Sequence, residues 1–131
     1  MRLWHYELIP FLPKQQLLSQ WRELNSIYAK QDKHILINYV YEYDKTDLYY
    51  YSILVINEMK KRNYKIRNFD KYNKYFQEYK DKIALFYGED IFKFHHNEVY
   101  LKICCWNLFE KHLRGQSGFT EQGIQFILRN L

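Results

Sequence analysis

Apolar side chains recur at helical spacing along most of this chain, and that periodicity restricts it to a mainly helical architecture. Pro13 suits a first helical position, where its missing N–H costs nothing, and Leu17, Leu18, Trp21, Leu24 and Tyr28 then mark a helix from about 13 to 30. Gln15, Ser19, Arg22 and Ser26 share the side away from that stripe, while Glu23 falls at the boundary between core and solvent, where partial desolvation tunes a carboxylate. Thr46-Asp47 opens a second helix carrying Leu48, Tyr51, Leu54, Val55 and Met59; it ends near Arg62-Asn63, since Asn tolerates the left-handed conformation. Phe69, Tyr72, Tyr75, Phe76, Tyr79, Ile83, Phe86 and Tyr87 fit one face of a third helix, with Gly88 as its stop. Asn97 caps a fourth, carrying Tyr100, Leu101, Cys104, Leu108 and Lys111 to Gly115, and a short last helix runs from Thr120 to about Asn130. Between the first two helices, His34 to Tyr41 is apolar and β-branched enough for a short strand, and equally compatible with buried irregular chain.

A chain of 131 residues supports one core of useful size, so residues 1–131 are expected to form a single compact domain. Hydrophobic residues make up 47% and aromatics 20%, which describes a globular protein rather than a disordered one. No apolar run reaches the ~20 residues of a membrane span, and Glu7, Pro10, Pro13 and Lys14 break the start before a secretory h-region forms, so a soluble, cytoplasmic protein is expected. Cys104 and Cys105 are adjacent, which makes a disulfide between them awkward and suits core thiols in a reducing compartment.

The formal charge of +5 is unevenly distributed. From Lys60 to Lys82 nine Lys or Arg stand against three acidic residues, a local +6 that favours an anionic partner, nucleic acid first, or simply makes a solvated helix face. Tyrosines and lysines interleave from Phe69 onward, but Lys71, Lys74 and Lys82 fall outside the aromatic arc, which favours core packing over a base-stacking platform.

The sequence lacks a glycine-rich phosphate loop, a G-x-S-x-G elbow and an H-E-x-x-H pair. His95, His96, Cys104, Cys105 and His112 match no closed zinc spacing, so no metal site is expected. What remains is the terminus together with Arg22-Glu23, which taken alone is an ordinary surface charge pair on an amphipathic helix.

In its context, that pair resembles the pyrimidine-dimer DNA glycosylase (phage endonuclease V-like) family. The resemblance is carried by Arg2-Leu3, by Gln15 followed by Leu17 and the aromatic-Arg-Glu-Leu of Trp21 to Leu24, and by Lys33-His34. It continues with Lys61-Arg62 followed by Tyr64 and Ile66, and with Leu108 and Glu110-Lys111; it is loose between about Phe69 and Asn97. Order and spacing carry it, not any single piece. The resemblance implies a helical domain with an extended N-terminal segment threaded between helices, so that the terminal amine reaches the glutamate.

It further implies a glycosylase and abasic-site lyase acting as a monomer on damaged double-stranded DNA, without metal or organic cofactor. The amine of Met1 is the expected nucleophile and Glu23 its assisting carboxylate; Arg2, Arg22, Lys111 and Arg114 are the expected DNA contacts. Arg2 after Met1 is expected to block removal of the initiator, so the expected amine is that of Met1 itself. Ser26 stands where the family has a further arginine, and the family's aromatic, basic tail has no counterpart in Gly115 to Leu131. Two other functions fit the same residues: a non-catalytic DNA-binding or interaction module that keeps the fold, and a nuclease or modifying enzyme acting on another nucleic acid.

Overall fold

In the computed structural model of the protein, the residues described are 2–30, 33–77 and 91–131. They form helices α1 (Lys14–Lys30), α2 (Lys45–Lys61), α3 (Asp70–Tyr75), α4 (Glu98–Leu113) and α5 (Glu121–Arg129), with two 3-10 segments, Tyr6–Phe11 and Asn38–Glu42, and no strand among the described residues. α1 packs on α2 and α3, α4 packs on α5, and the first 3-10 segment touches both α2 and α5. The core joins Leu17, Leu24 and Ile27 of α1 to Tyr51, Val55 and Met59 of α2 and to Cys104 and Leu108 of α4. Leu3, Leu8 and Leu12 from the N-terminal stretch enter the same core, and full burial of each such side chain stabilises by roughly 1.5–3 kcal/mol.

Helix ends follow the sequence closely. The Asn97 side chain accepts from Tyr100 N at 2.9 Å, and Thr120 Oγ1 accepts from Gly123 N at 3.0 Å. Asn63 closes α2 in the left-handed region with φ 63°, and Gly115 follows α4 at φ 94°. Both cysteines are buried free thiols, and burial raises both pKa values, that of Cys105 to about 11.

The structure corrects the expectation in three places and decides between two open readings in a fourth. α2 starts at Lys45, one residue before Thr46, and Asp44 caps it, its Oδ1 accepting from both the Thr46 amide at 2.9 Å and the Thr46 hydroxyl at 2.7 Å. The stretch from Tyr6, part of the N-terminal segment expected to be extended, is a 3-10 turn that buries Leu8 and Ile9. His34 to Tyr41 forms no strand: the Ile37 and Asn38 amides both bond the His34 carbonyl at 2.8 Å, and burial falls on Ile37 and Val40, three apart, while Ile35 is 82% exposed. That burial period suits a 3-10 turn, whose i and i+3 side chains eclipse, and not a pleated strand. Finally, the helix expected from Phe69 to Tyr87 spans Asp70–Tyr75 among the described residues. The Phe76 amide bonds back to Tyr72 O as its cap. Tyr79, Ile83, Phe86, Tyr87 and Gly88 lie outside the described residues.

Candidate functional site

Gln20 organises the chain start. It lies on the buried side of α1 at 1% exposure, and a buried amide must find partners for both its ends. Its Oε1 accepts from Trp4 N at 2.9 Å, and its Nε2 donates to Arg2 O at 2.9 Å. The Tyr51 hydroxyl of α2 sits 2.7 Å from both Trp4 O and Gln20 Oε1 and shares its one proton between them. From α4, Tyr100 OH donates to Leu3 O at 2.6 Å. Side chains of three helices therefore fix the backbone of residues 2–4, and Leu3 itself has no exposed surface.

A histidine pair continues this support. Glu7 N donates to His5 Nδ1 at 3.1 Å, so Nε2 carries the His5 proton and meets His96 O at 3.0 Å. Tyr6 N donates to His96 Nδ1 at 3.2 Å, which leaves the His96 Nε2 proton pointing at Tyr39 OH, 2.6 Å away. Burial lowers the pKa of His5 to about 4 and that of His96 to about 2, with His5 and His95 adding repulsion at His96. Both rings are neutral near pH 7.

One turn beyond Gln20, Glu23 opens onto a cleft of about 360 Å³. Arg2 and Trp4 of the chain start, Gln16, Ser19 and Glu23 of α1, and Asn107 and Lys111 of α4 line it. Glu23 is half-buried and its Oε1 has no contact with solvent. The Arg2 guanidinium stands 5.8 Å from the Trp4 ring centre and 6.0 Å from that of Tyr100, close enough for cation–π attraction to hold it at the rim. Gln16 and Gln116 exchange amide hydrogen bonds at 3.3 and 2.6 Å, tying α1 to the chain that follows α4. A carboxylate sharing a concave polar site with two cations suits a substrate with phosphates around a reacting centre that gains positive charge.

The structure thus brings Arg2, Glu23 and Lys111 into one cleft. Arg22 is exposed on the neighbouring flank of α1 and lines a different groove. Arg114 is exposed and paired with Glu110 at 3.7 Å. Met1 lies outside the described residues. Arg62, part of the sequence resemblance, is structural: it bonds Glu58 Oε2 at 2.7 Å, Leu12 O at 2.7 Å and Pro10 O at 3.1 Å. Sequence reasoning missed Gln20, Tyr51, Tyr100 and Asn107; the one available signal was a Gln beside an apolar stripe. Among the described residues no group of three or more His, Cys, Asp or Glu is placed to hold a metal ion, and no helix is long and apolar enough to cross a membrane.

No curated protein and no solved structure matches the chain. The family model for pyrimidine dimer DNA glycosylases matches residues 1–72, the stretch that supplies Arg2, Gln20 and Glu23 to the cleft. Since that match spans more than half of the 131 residues, the chain belongs to the pyrimidine dimer DNA glycosylase family, whose work is DNA repair.

Proposed function

We propose that the protein excises damaged bases from duplex DNA and cleaves the resulting abasic site, with the Met1 amine as nucleophile and Glu23 as its assisting carboxylate. The observation that supports this best is the shared cleft of Arg2 and Glu23. A peptide bond tethers the residue before Arg2 to within ~3.8 Å, Cα to Cα, of a residue on the cleft wall. An α-amine has a pKa of ~7.7–8.0, so roughly a tenth is neutral near pH 7, against well under one part in a thousand for an ordinary lysine at ~10.4. It is a ready nucleophile without deep burial.

The neutral amine attacks the sugar C1′, and the C1′–N bond breaks with its electron pair leaving on the base, which takes up a proton. Opening of the sugar ring gives a Schiff base between the amine and C1′. The Glu23 carboxylate stabilises the positive charge that develops on the sugar, then accepts the C2′ proton as electrons move to break the C3′–O bond. Water releases the amine. Arg2 and Lys111 meet phosphates beside the lesion, positioning the strand without reading its sequence. Arg22 and Arg114 meet phosphates outside the cleft. Asn107 and Lys111 come from α4, beyond the matched residues 1–72, which supports residues 1–131 acting as one domain.

Untagged protein incubated with abasic-site duplex and borohydride is expected to form a covalent adduct that maps to the peptide beginning at Met1. Residues left ahead of Met1 abolish it by displacing the amine. Glu23→Gln keeps the shape and removes the charge, so it slows excision and elimination by more than tenfold with little loss of DNA binding. Trapping at a lysine, or trapping that survives an N-terminal extension, refutes the terminal-amine assignment.

A further inference from the structure

The flank of α1 that faces away from the Glu23 cleft borders a second groove, of about 450 Å³. Arg22 of α1, Lys65 and Arg67 from the chain after α2, and Lys71 of α3 line it beside the half-buried Trp21. None of the described residues lining it is acidic. Phe69 shapes the neighbourhood, meeting Trp21 edge-on at 5.7 Å with Lys60 5.9 Å from its own ring centre. Four cations on one concave wall without a carboxylate sustain a positive potential that draws a polyanion.

The two sites have a fixed relation. Gln16, Gln20 and Glu23 wall the cleft, while Leu18, Trp21 and Asn25 wall the groove. Both sets follow the spacing of one helix face, displaced by about two residues, which is about 200° around a helix of ~3.6 residues per turn. Exposed Gln15 lies on the ridge between them, with exposed Ser19 at the edge of the cleft and exposed Arg22 at the edge of the groove. A helix with its side chains is ~10–12 Å across, close to the ~12 Å width of the DNA groove that admits one. One strand cannot lie on both flanks without crossing the ridge. Two strands bordering a groove can.

We propose that duplex DNA straddles α1, with the damaged strand entering the Glu23 cleft and the phosphates of the opposite strand lying along Arg22, Lys65, Arg67 and Lys71. This rests on the reading of the cleft given above. It makes the groove a device for selecting duplex over single-stranded DNA, since only a duplex supplies the second row of phosphates.

The test removes three charges from exposed positions in the full chain, Lys65→Gln, Arg67→Gln and Lys71→Gln together, with circular dichroism and thermal melting to confirm the fold. Binding is measured against salt for a duplex carrying an abasic-site analogue and for the damaged strand alone. Each lost phosphate contact makes the slope of log K against log salt shallower by about 0.9 on duplex. The expected result is a duplex slope shallower by two to three and a duplex affinity at least tenfold weaker at low salt, with single-strand binding changed by less than twofold. A duplex slope that moves by less than one, or an equal loss on single strand and duplex, overturns the proposal. Borohydride trapping with wild-type protein separates the two readings. No adduct beside the expected slope change removes the lyase chemistry and leaves the groove standing; an adduct beside an unchanged slope does the reverse.

Discussion

Mild acid should destabilise this protein, and the His5–His96 pair sets by how much. In the folded chain, burial holds His5 at a pKa of about 4 and His96 at about 2, while each titrates near 6.5 once unfolded. Below 6.5 the unfolded state therefore binds up to two protons that the folded state refuses, so stability falls as the pH falls. The slope approaches about 2.7 kcal/mol per pH unit, twice the ~1.36 kcal/mol of a single group, and holds until His5 begins to protonate near pH 4. Between pH 8 and pH 5 the loss is about 4 kcal/mol, a large part of the ~5–15 kcal/mol that keeps a domain folded. Geometry gives the same sign: a proton added to Nδ1 of His96 faces the Tyr6 N–H, donor against donor at 3.2 Å. Asp47, whose pKa burial raises, works weakly in the opposite direction. Urea unfolding at pH 8, 6 and 5, followed by circular dichroism, measures the slope. In His96→Gln the slope should fall by about half while stability at pH 8 also drops. Equal unfolding free energies at pH 8 and pH 5, or either imidazole titrating near 6.5 by NMR in the folded protein, would refute the reasoning.

Two substitutions test the framework around the cleft. Gln20→Leu strands Trp4 N and Arg2 O and takes from Tyr51 OH one of its two acceptors; it should cost about 2–4 kcal/mol in urea unfolding at pH 8. Arg62→Gln removes a guanidinium that ties Leu12 O and Pro10 O to Glu58, and should cost about 2–3 kcal/mol by the same measurement.

The helices were legible because their signals are local. Pro13 and the Leu17–Tyr28 stripe mark α1, the Asn97 and Thr120 side chains cap α4 and α5, and Asn63 ends α2 in the one conformation its short amide tolerates better than most side chains. The stretch from His34 to Tyr41 was ambiguous for a physical reason. Short apolar runs carry β propensity whether or not a partner strand exists, and here burial of Ile37 and Val40 against the helices decides for a 3-10 turn. In the cleft, Arg2, Glu23 and Lys111 were legible through resemblance alone. Nothing in the spacing links Leu3 to Tyr100, 97 residues apart, or Trp4 to Tyr51, 47 apart. Gln20 was missed because an amide beside an apolar stripe usually points to solvent, whereas this one is buried and partners three groups.

Gln20 and Arg62 also separate holding the fold from positioning the reaction. Each ties the N-terminal stretch to a helix, but Gln20 holds residues 2 and 4 beside the Glu23 cleft, while Arg62 holds residues 10 and 12 at the far end of the 3-10 segment. Ordering one backbone residue costs ~1–2 kcal/mol, and folding meets that cost for residues 2–4 before DNA arrives. Under the proposed mechanism, an amine carried on so fixed a segment has the rate advantage of preset proximity, which a loosened segment forfeits. At equal remaining stability, and at a temperature where both variants are fully folded, Gln20→Leu should therefore slow single-turnover cleavage of abasic-site duplex by at least tenfold. Arg62→Gln should slow it by less than threefold. Equal rates in the two variants would mean that residues 2–4 position nothing and that the N-terminal hydrogen bonds serve the fold alone.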